Sequence, residues 1–322
     1  MKNVLLLLAV VACGARTEIG GTIAKPSGTC SGIVLFGGYA NGVVLNDTWC
    51  FDGTSWSPIA TSNAPTGRQD PAMASDGQGL VLYGGVGTPG PNFTDTWTWT
   101  PSGWSEPTLA SPPPGRIWTA LARMGSQVVM YGGEGSDSLQ ALDDVWVWSG
   151  GAWSAGTTEG LVPQARSRHA MASLHDRIVV FGGVTSGEVE LDDTWLWGDG
   201  AWVPVQSLAH PAARQWAAMT TLAQTVVLFG GYGFDPKAGN TYFDDTWTWD
   251  GATWTQAQPS TSPPARYRLT LATLGDRIVL FGGEDENGKP LGDTWTWDGA
   301  AWTELHPAIS PPPRMGAAMA SP

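Results

Sequence analysis

Positive charge is scarce in this chain. Its 322 residues carry 16 Lys and Arg against 29 Asp and Glu, a formal net charge of −13. A nucleic-acid partner needs a basic face to replace the counterions of its phosphates, so that class is excluded. Charge of either sign is sparse, at 14%, and no long polar run of helix formers occurs, which argues against an α-rich protein. The four histidines, His169, His175, His210 and His306, are scattered and show no zinc-ligand spacing. Three cysteines do not make a disulfide scaffold. The apolar run Val4 to Val11 is far short of the ~20 residues that span a bilayer, and no other stretch reaches that length.

What is abundant is Gly, Pro and Trp, at 43, 24 and 19 residues. With 42% hydrophobic residues there is material for a large core. A length divided by ~150 suggests two domains, but all-β barrels and propellers of this size are often one.

The N-terminus reads as a processing segment. Met1-Lys2-Asn3 is a short basic start, and the apolar run after it has the length of a secretory signal core, giving an expected signal over residues 1–12. Val10-Val11-Ala12-Cys13 resembles a bacterial lipobox, in which the Cys becomes lipidated; plain secretion and a mis-assigned start are the alternatives. Residues 13–31, rich in Gly, Thr and Ser, are expected to be a tether. Membrane attachment is then expected only through lipid at Cys13. If Cys13 is lipidated, Cys30 and Cys50 remain, and a bridge or two reduced thiols both fit.

From residue 32 the chain repeats one unit six times. Gly pairs stand at 37–38, 84–85, 132–133, 182–183, 230–231 and 282–283, each ending an apolar run such as Ile33-Val34-Leu35-Phe36. Asp-x-Trp follows, opened by Asp47, Asp95, Asp144, Asp193, Asp245 and Asp293. Seven residues beyond that Trp comes another: Trp56, Trp104, Trp153, Trp202, Trp254 and Trp302. A Pro-rich loop then leads to Arg68, Arg116, Arg166, Arg214, Arg266 or Arg314.

Each unit predicts four short strands. The first follows the Arg. The second is the apolar run, buried on both faces. The third is Trp-x-Trp, whose rings share a face at period two. A tight turn such as Asp52-Gly53, Asp250-Gly251 or Asp298-Gly299 leads to the fourth. Such a unit cannot bury its faces alone; radial packing buries them and leaves short edges.

Gly-Gly after an apolar strand, an aromatic in strand three and a Trp in strand four resemble the kelch repeat, as in the central domain of galactose oxidase, over residues 32–322. The resemblance implies an all-β, six-bladed propeller of four-stranded blades. The chain stops after a strand-one segment, Arg314 to Pro322, and the first unit begins at strand two. The expected closure is therefore by the C-terminal strand completing the N-terminal blade. A degenerate local strand near Thr22 to Ser27 is the alternative.

Residues recurring in all six units most simply serve the blade; positions that break the repeat near one face are the functional candidates. Two residues past the Arg, kelch repeats usually have Gly. Here the series is Asp70, Trp118, Arg168, Trp216, Arg268 and Gly316. Directly after the Gly pair it is Tyr39, Val86, Glu134, Val184, Tyr232 and Glu284. Both series are expected at one mouth of the central channel. Asp70, Trp118, Arg168, Trp216, Arg268, Tyr39 and Tyr232 are thus the candidate ligand-binding residues: flat rings for stacking and guanidinium forks for a carboxylate. The competing reading is a plug, with Arg168 and Arg268 paired to Glu134 and Glu284.

No metal or cofactor is expected. A galactose-oxidase-like copper set is missing. The Glu-x3-Asp-x3-His pattern of plant kelch specifier proteins begins at Glu188 and Asp192 but meets Leu196. Asp285-Glu286-Asn287-Gly288 lacks calcium-loop spacing. The leading expectation is a monomeric exported binding protein that takes a glycan or a protein partner at the mouth without catalysis. Its place would be the outer membrane or cell surface as a lipoprotein, the periplasm, or the medium. The rival is an enzyme in the style of the kelch sialic-acid mutarotase, with Glu134 or Glu284 as acid–base group and Arg168 and Arg268 as clamp. The third is a structural element of a surface assembly. Of the 19 tryptophans, 17 fall at strand-three and strand-four positions; the two left over, Trp118 and Trp216, both fall in the mouth series.

Overall fold

A computed structural model describes residues 29–136, 140–157, 160–235 and 239–322. The expected signal, Cys13 and the tether up to residue 28 lie outside the described residues, as does the alternative strand near Thr22 to Ser27. All regular structure described is β-strand. Six four-stranded antiparallel sheets form the blades of a propeller.

Blade one joins Ala318–Ala320, Ile33–Phe36, Thr48–Phe51 and Trp56–Ile59. Blade two is Ala72–Ser75, Leu80–Tyr83, Thr96–Thr100 and Gly103–Ser105. Blade three is Ala120–Met124, Gln127–Tyr131, Val145–Ser149 and Ala152–Ala155. Blade four is Ala170–Leu174, Arg177–Phe181, Thr194–Gly198 and Ala201–Val205. Blade five is Ala218–Leu222, Thr225–Phe229, Thr246–Trp249 and Trp254–Ala257; blade six is Thr270–Leu274, Arg277–Phe281, Thr294–Trp297 and Trp302–Leu305.

The ring closes as the repeat phase requires. Ala318–Ala320 pairs antiparallel with Ile33–Phe36, with Val34 opposite Ala320 and Phe36 opposite Ala318. Arg314 adds hydrogen bonds to Asp47 and to the Gly37 carbonyl.

The core is divided among the seams. Six apolar clusters lie one at each contact between neighbouring blades, built from strand-two side chains and the repeat tryptophans. Strand two is buried throughout in every blade, apart from its first residue where it is five residues long. No sheet face is left to solvent there, which explains its unbroken Val, Ile and Leu.

The repeat arginines are scaffold. Each is at most 1% exposed. Each makes a bidentate pair with the Asp-x-Trp carboxylate of the blade it leads into, with closest N···O distances of 2.5–2.7 Å. Each also donates to the carbonyl of that blade's first paired glycine. The second oxygen of each Asp accepts the indole N–H of the Trp two residues on, at 2.6–2.7 Å. A buried guanidinium needs such saturation, because desolvation is offset only when its donors are matched. The first glycine of each pair is also pressed against the backbone of the next repeat arginine. A Cβ on Gly84 would lie 2.5 Å from the Arg116 carbonyl oxygen, and its φ is +70°, a region open to glycine at little cost.

The strand-four tryptophans staple each blade to the one before it. Trp56, Trp104, Trp153, Trp254 and Trp302 donate their indole N–H to Thr294, Thr48, Thr96, Thr194 and Thr246 at 2.8–3.0 Å. The sixth, Trp202, meets Val145 at the corresponding position, and its buried N–H has no partner among the described residues.

Cys30 and Cys50 form a disulfide, which resolves the two alternatives left by the sequence. Cys30 is 2% exposed and belongs to a core cluster shared by blades one and two. Cys30, which falls within the expected tether, is thus fixed to the first blade.

Candidate functional site

Each strand one is entered through a single residue in the left-handed region. These are Asp70, Trp118, Arg168, Trp216, Arg268 and Gly316, with φ between +53° and +60°. Five of them carry side chains, an arrangement that costs of order 1–3 kcal/mol each and clusters at functional positions. The reason for this shared conformation is a hydrogen-bonded ring around the channel. The backbone N–H of Asp70 donates to Gly316, Gly316 to Arg268, Arg268 to Trp216, Trp216 to Arg168 and Arg168 to Trp118, at 2.8–3.1 Å. The sixth link, from Trp118 to Asp70, is not made among the described residues.

The side chains on this ring divide into two halves. On one side Arg268 leans over Gly316 to Asp70, with Nη2 2.5 Å from Oδ2 and Nε 3.3 Å from Oδ1. Asp70 is 7% exposed and Arg268 14%. On the other side the Arg168 guanidinium lies between two indoles, 4.2 Å from the Trp118 ring centre and 4.6 Å from that of Trp216. Cation–π contact in a desolvated place of this kind is favourable by about 2 kcal/mol. Arg168 also donates to Gln215 Oε1 at 3.0 Å and to Glu188 Oε2 at 3.3 Å.

The Arg268 fork is therefore occupied from within the chain, whereas Arg168 makes its hydrogen bonds through Nη1 alone and its buried Nε has no partner among the described residues. The partners expected on the plug reading, Glu134 and Glu284, stand only at 4.0 Å from Arg168 and Arg268. Nearer groups, Asp70 for Arg268 and Gln215 with Glu188 for Arg168, take that role. The sequence series did not reveal this, because Asp70 and Arg268 are separated by 198 residues.

The aromatic residues form an arc. From Trp216 the rings continue to Tyr267 at 5.6 Å, then to Tyr232 at 6.0 Å and Tyr242 at 5.7 Å, with Tyr232 and Tyr242 5.3 Å apart. All four are half-buried. The strand pair Tyr232–Asp235 and Gly239–Tyr242 builds this wall from the long connection after the Gly pair of blade five. Tyr39 sits apart. It belongs to the ribbon of Tyr39–Ala40 with Val43–Val44 and pairs its backbone with Met315, and its ring makes no aromatic contact among the described residues. Tyr267 and Tyr242 were missed as candidates. Tyr267 directly follows a repeat Arg, in a column that reads Gln69, Ile117, Ser167, Gln215, Tyr267 and Met315 and carries no repeat signal.

The charges around this mouth are Arg168 and Arg268 against Asp70, Glu134, Glu188, Glu190 and Glu284. Burial holds the Glu134 carboxyl above its usual range; Arg168 opposes this and Glu188 adds to it. Burial, with Glu284 beside it, also pushes the Tyr267 phenol upward. Just below the ring, His169 is 6% exposed and neither ring nitrogen has a hydrogen-bond partner among the described residues. Burial, and then the charge of Arg166, lower its pKa to about 3, so it is neutral. The cavity enclosed by the ring and the residues below it measures about 130 Å³. Among the described residues no group of three or more His, Cys, Asp or Glu could hold a metal ion.

A family model for the KLHDC2/KLHL20/DRC7 kelch-repeats domain matches residues 22–183. The chain belongs to the kelch-repeat family. The match reaches across the first three blades into the fourth, and the remaining blades of this kelch propeller repeat the same Arg–Asp–Trp scaffold. No curated protein matches the chain in sequence. In this kelch propeller the mouth departs from its own repeat at five of six ring positions, and those five side chains are the ones that fill or frame the throat.

Proposed function

We propose that this kelch propeller is an exported, non-catalytic binding protein whose mouth takes a glycan through the apolar face of a neutral sugar. The observation that carries this reading is the half-buried arc Trp216, Tyr267, Tyr232 and Tyr242. Such rings offer apolar area with polar tips and little entropy to lose. Glu188 and Glu190 stand at its edge as hydrogen-bonding groups. A neutral ligand fits better than an acidic one, since the mouth has an excess of carboxylates and Arg268 is already matched by Asp70. Export is supported by the Cys30–Cys50 disulfide, which persists in oxidising compartments, and by the basic and apolar start of the chain.

The test is isothermal titration with neutral and with sialylated oligosaccharides, beside a Tyr267→Ala and a Tyr232→Ala variant. Stacking losses of about 0.5–1.5 kcal/mol predict affinity falling about three- to tenfold in each variant, with neutral sugars preferred. Binding that prefers the acidic sugars, or that ignores both substitutions, rules this reading out.

One observation favours a second reading, a sugar-isomerising enzyme with Glu134 as acid–base group: burial raises its pKa, the direction a carboxyl that donates a proton needs. Of the carboxylate clamp expected from Arg168 and Arg268, Arg268 is already taken by Asp70. Anomer exchange accelerated by the chain and lost in Glu134→Gln would select this reading.

A further inference from the structure

The opposite end of the channel holds a larger cavity, about 240 Å³. Its floor is a layer contributed once by each blade: Met73, Leu121, Met171, Met219, Leu271 and Met319. Each of these is 5–8% exposed, so a soft apolar surface meets the cavity. Two residues further along each strand one comes the rim: Ser75, Arg123, Ser173, Thr221, Thr273 and Ser321.

The rim is not uniform. The hydroxyls of Thr221, Thr273 and Ser321 donate to the backbone carbonyls of Ser173, Thr221 and Thr273, stitching blades four, five, six and one together. The stitching stops there. Ser75 accepts the Gly77 N–H at 3.0 Å and keeps its own proton to donate. The Ser173 hydroxyl makes no hydrogen bond among the described residues. Between them, on blade three, stands Arg123. Its Nε donates to the Gly125 carbonyl at 2.7 Å, while its Nη atoms lie against Gly77. Arg123 is exposed and forms no ion pair among the described residues. Three consecutive blades thus present a guanidinium flanked by two hydroxyls above an apolar floor. The turns around this rim carry Asp76, Asp176 and Asp276, balanced by Arg123, Arg177 and Arg277, unlike the carboxylate-rich mouth at the other end.

We propose that this second mouth is a binding site for a small monocarboxylate with an apolar tail. Arg123 takes the carboxylate through its two terminal nitrogens, Ser75 and Ser173 donate to it from either side, and the tail lies on the Met and Leu layer. Methionine adapts to flexible apolar groups, and the cavity lies below the ~300–1,000 Å³ of sites for drug-sized ligands.

The probe is octanoate, with 1-octanol as the uncharged control, titrated into the purified chain and into Arg123→Gln. Arg123 is exposed and, among the described residues, makes no hydrogen bond or ion pair to a neighbouring blade, so the variant is expected to keep the wild-type melting temperature. A charge-assisted bond of this kind changes affinity about ten- to a hundredfold. Octanoate is therefore expected to bind the wild-type chain saturably and Arg123→Gln at least about tenfold more weakly, while octanol binds both equally. Methyl-labelled methionine NMR localises the ligand: Met73, Met171, Met219 and Met319 should shift, and Met315 at the far mouth should not. No saturable octanoate binding, equal binding to Arg123→Gln, or a shift confined to Met315 overturns the proposal.

Discussion

Arg268 and Asp70 close one side of the throat by meeting over Gly316. A Cβ at residue 316 would stand 2.3 Å from Asp70 Oδ1 and 3.3 Å from Arg268 Nη2, and φ there is +58°. Glycine is kept at the one ring position where its neighbours' side chains need its space. The other five positions carry side chains because nothing crosses above them in the same way. Gly316→Ala should therefore separate the pair and strain the backbone, costing about 2–4 kcal/mol. Urea unfolding reads this directly. A variant as stable as wild type would mean that the pair does not depend on the missing side chain.

Val145 leaves Trp202 without an acceptor where five other blades use Thr. Val145→Thr should restore the bond from the Trp202 indole to blade three and raise stability by about 1 kcal/mol. The mirror change, Thr194→Val, orphans the Trp254 N–H and should cost about 1–3 kcal/mol. Chemical denaturation of the two variants checks both signs; two changes of the same sign would show that side-chain shape, not the hydrogen bond, sets the preference.

Two groups of residues give the acid limb of stability two segments. His169 falls from 6.5 in the unfolded chain to about 3 when buried. Its contribution is complete above pH 6.5 and is lost as the pH falls from there towards 3, because the unfolded state binds the proton first. The scaffold carboxylates Asp47, Asp95, Asp144, Asp193 and Asp293 lie below 3.8 in the fold. Burial alone would raise them, but the arginine hydrogen bonds and charges outweigh it. Their contribution is present above the ordinary Asp value and is lost only as the pH drops below it. The folding constant should fall by up to about tenfold per pH unit between pH 6.5 and 4, then more steeply. His169→Leu should flatten the first segment and keep the second. A flat wild-type profile down to pH 4 would show that His169 is not held neutral.

Ring closure depends on the last few residues. Deleting residues 314–322 removes the strand paired with Ile33–Phe36 and the Arg314 pair with Asp47. Arg314 is buried but the Asp47 side chain is 36% exposed, so breaking this pair alone costs less than the ~3–5 kcal/mol of a fully buried one, and losing the paired strand adds to it, against a total of about 5–15 kcal/mol for a typical fold. The truncated chain should lose its cooperative melting transition, and Arg314→Ala should melt well below wild type. A truncated chain that melts as the full one does would refute closure by this strand.

The scaffold was legible in the sequence because it is written six times. The Gly pairs, the Asp-x-Trp carboxylates and the repeat arginines each recur at one place in a blade, so their meaning could be read by comparing copies. Seventeen tryptophans were assigned to packing in this way, and the phase of the two ends fixed how the ring closes. The same comparison singled out Trp118, Arg168, Trp216 and Arg268 as departures from the repeat, and the structure places them on one hydrogen-bonded ring.

Repetition carries no information about partners across the ring, and there the tertiary structure decided. Arg268 pairs with Asp70 of blade two, not chiefly with Glu284; Arg168 is held by two indoles and Gln215. Tyr267 enters the aromatic arc because the blade-five connection brings Tyr232 and Tyr242 against it, and Arg123 lines the far cavity on the blade between those of two serines. These contacts join residues from different blades, whose spacing along the chain is set by loops and not by geometry. The chain determined its fold locally, through a pattern every blade shares. The surroundings of its two mouths were decided only when residues from all six blades were brought to one axis.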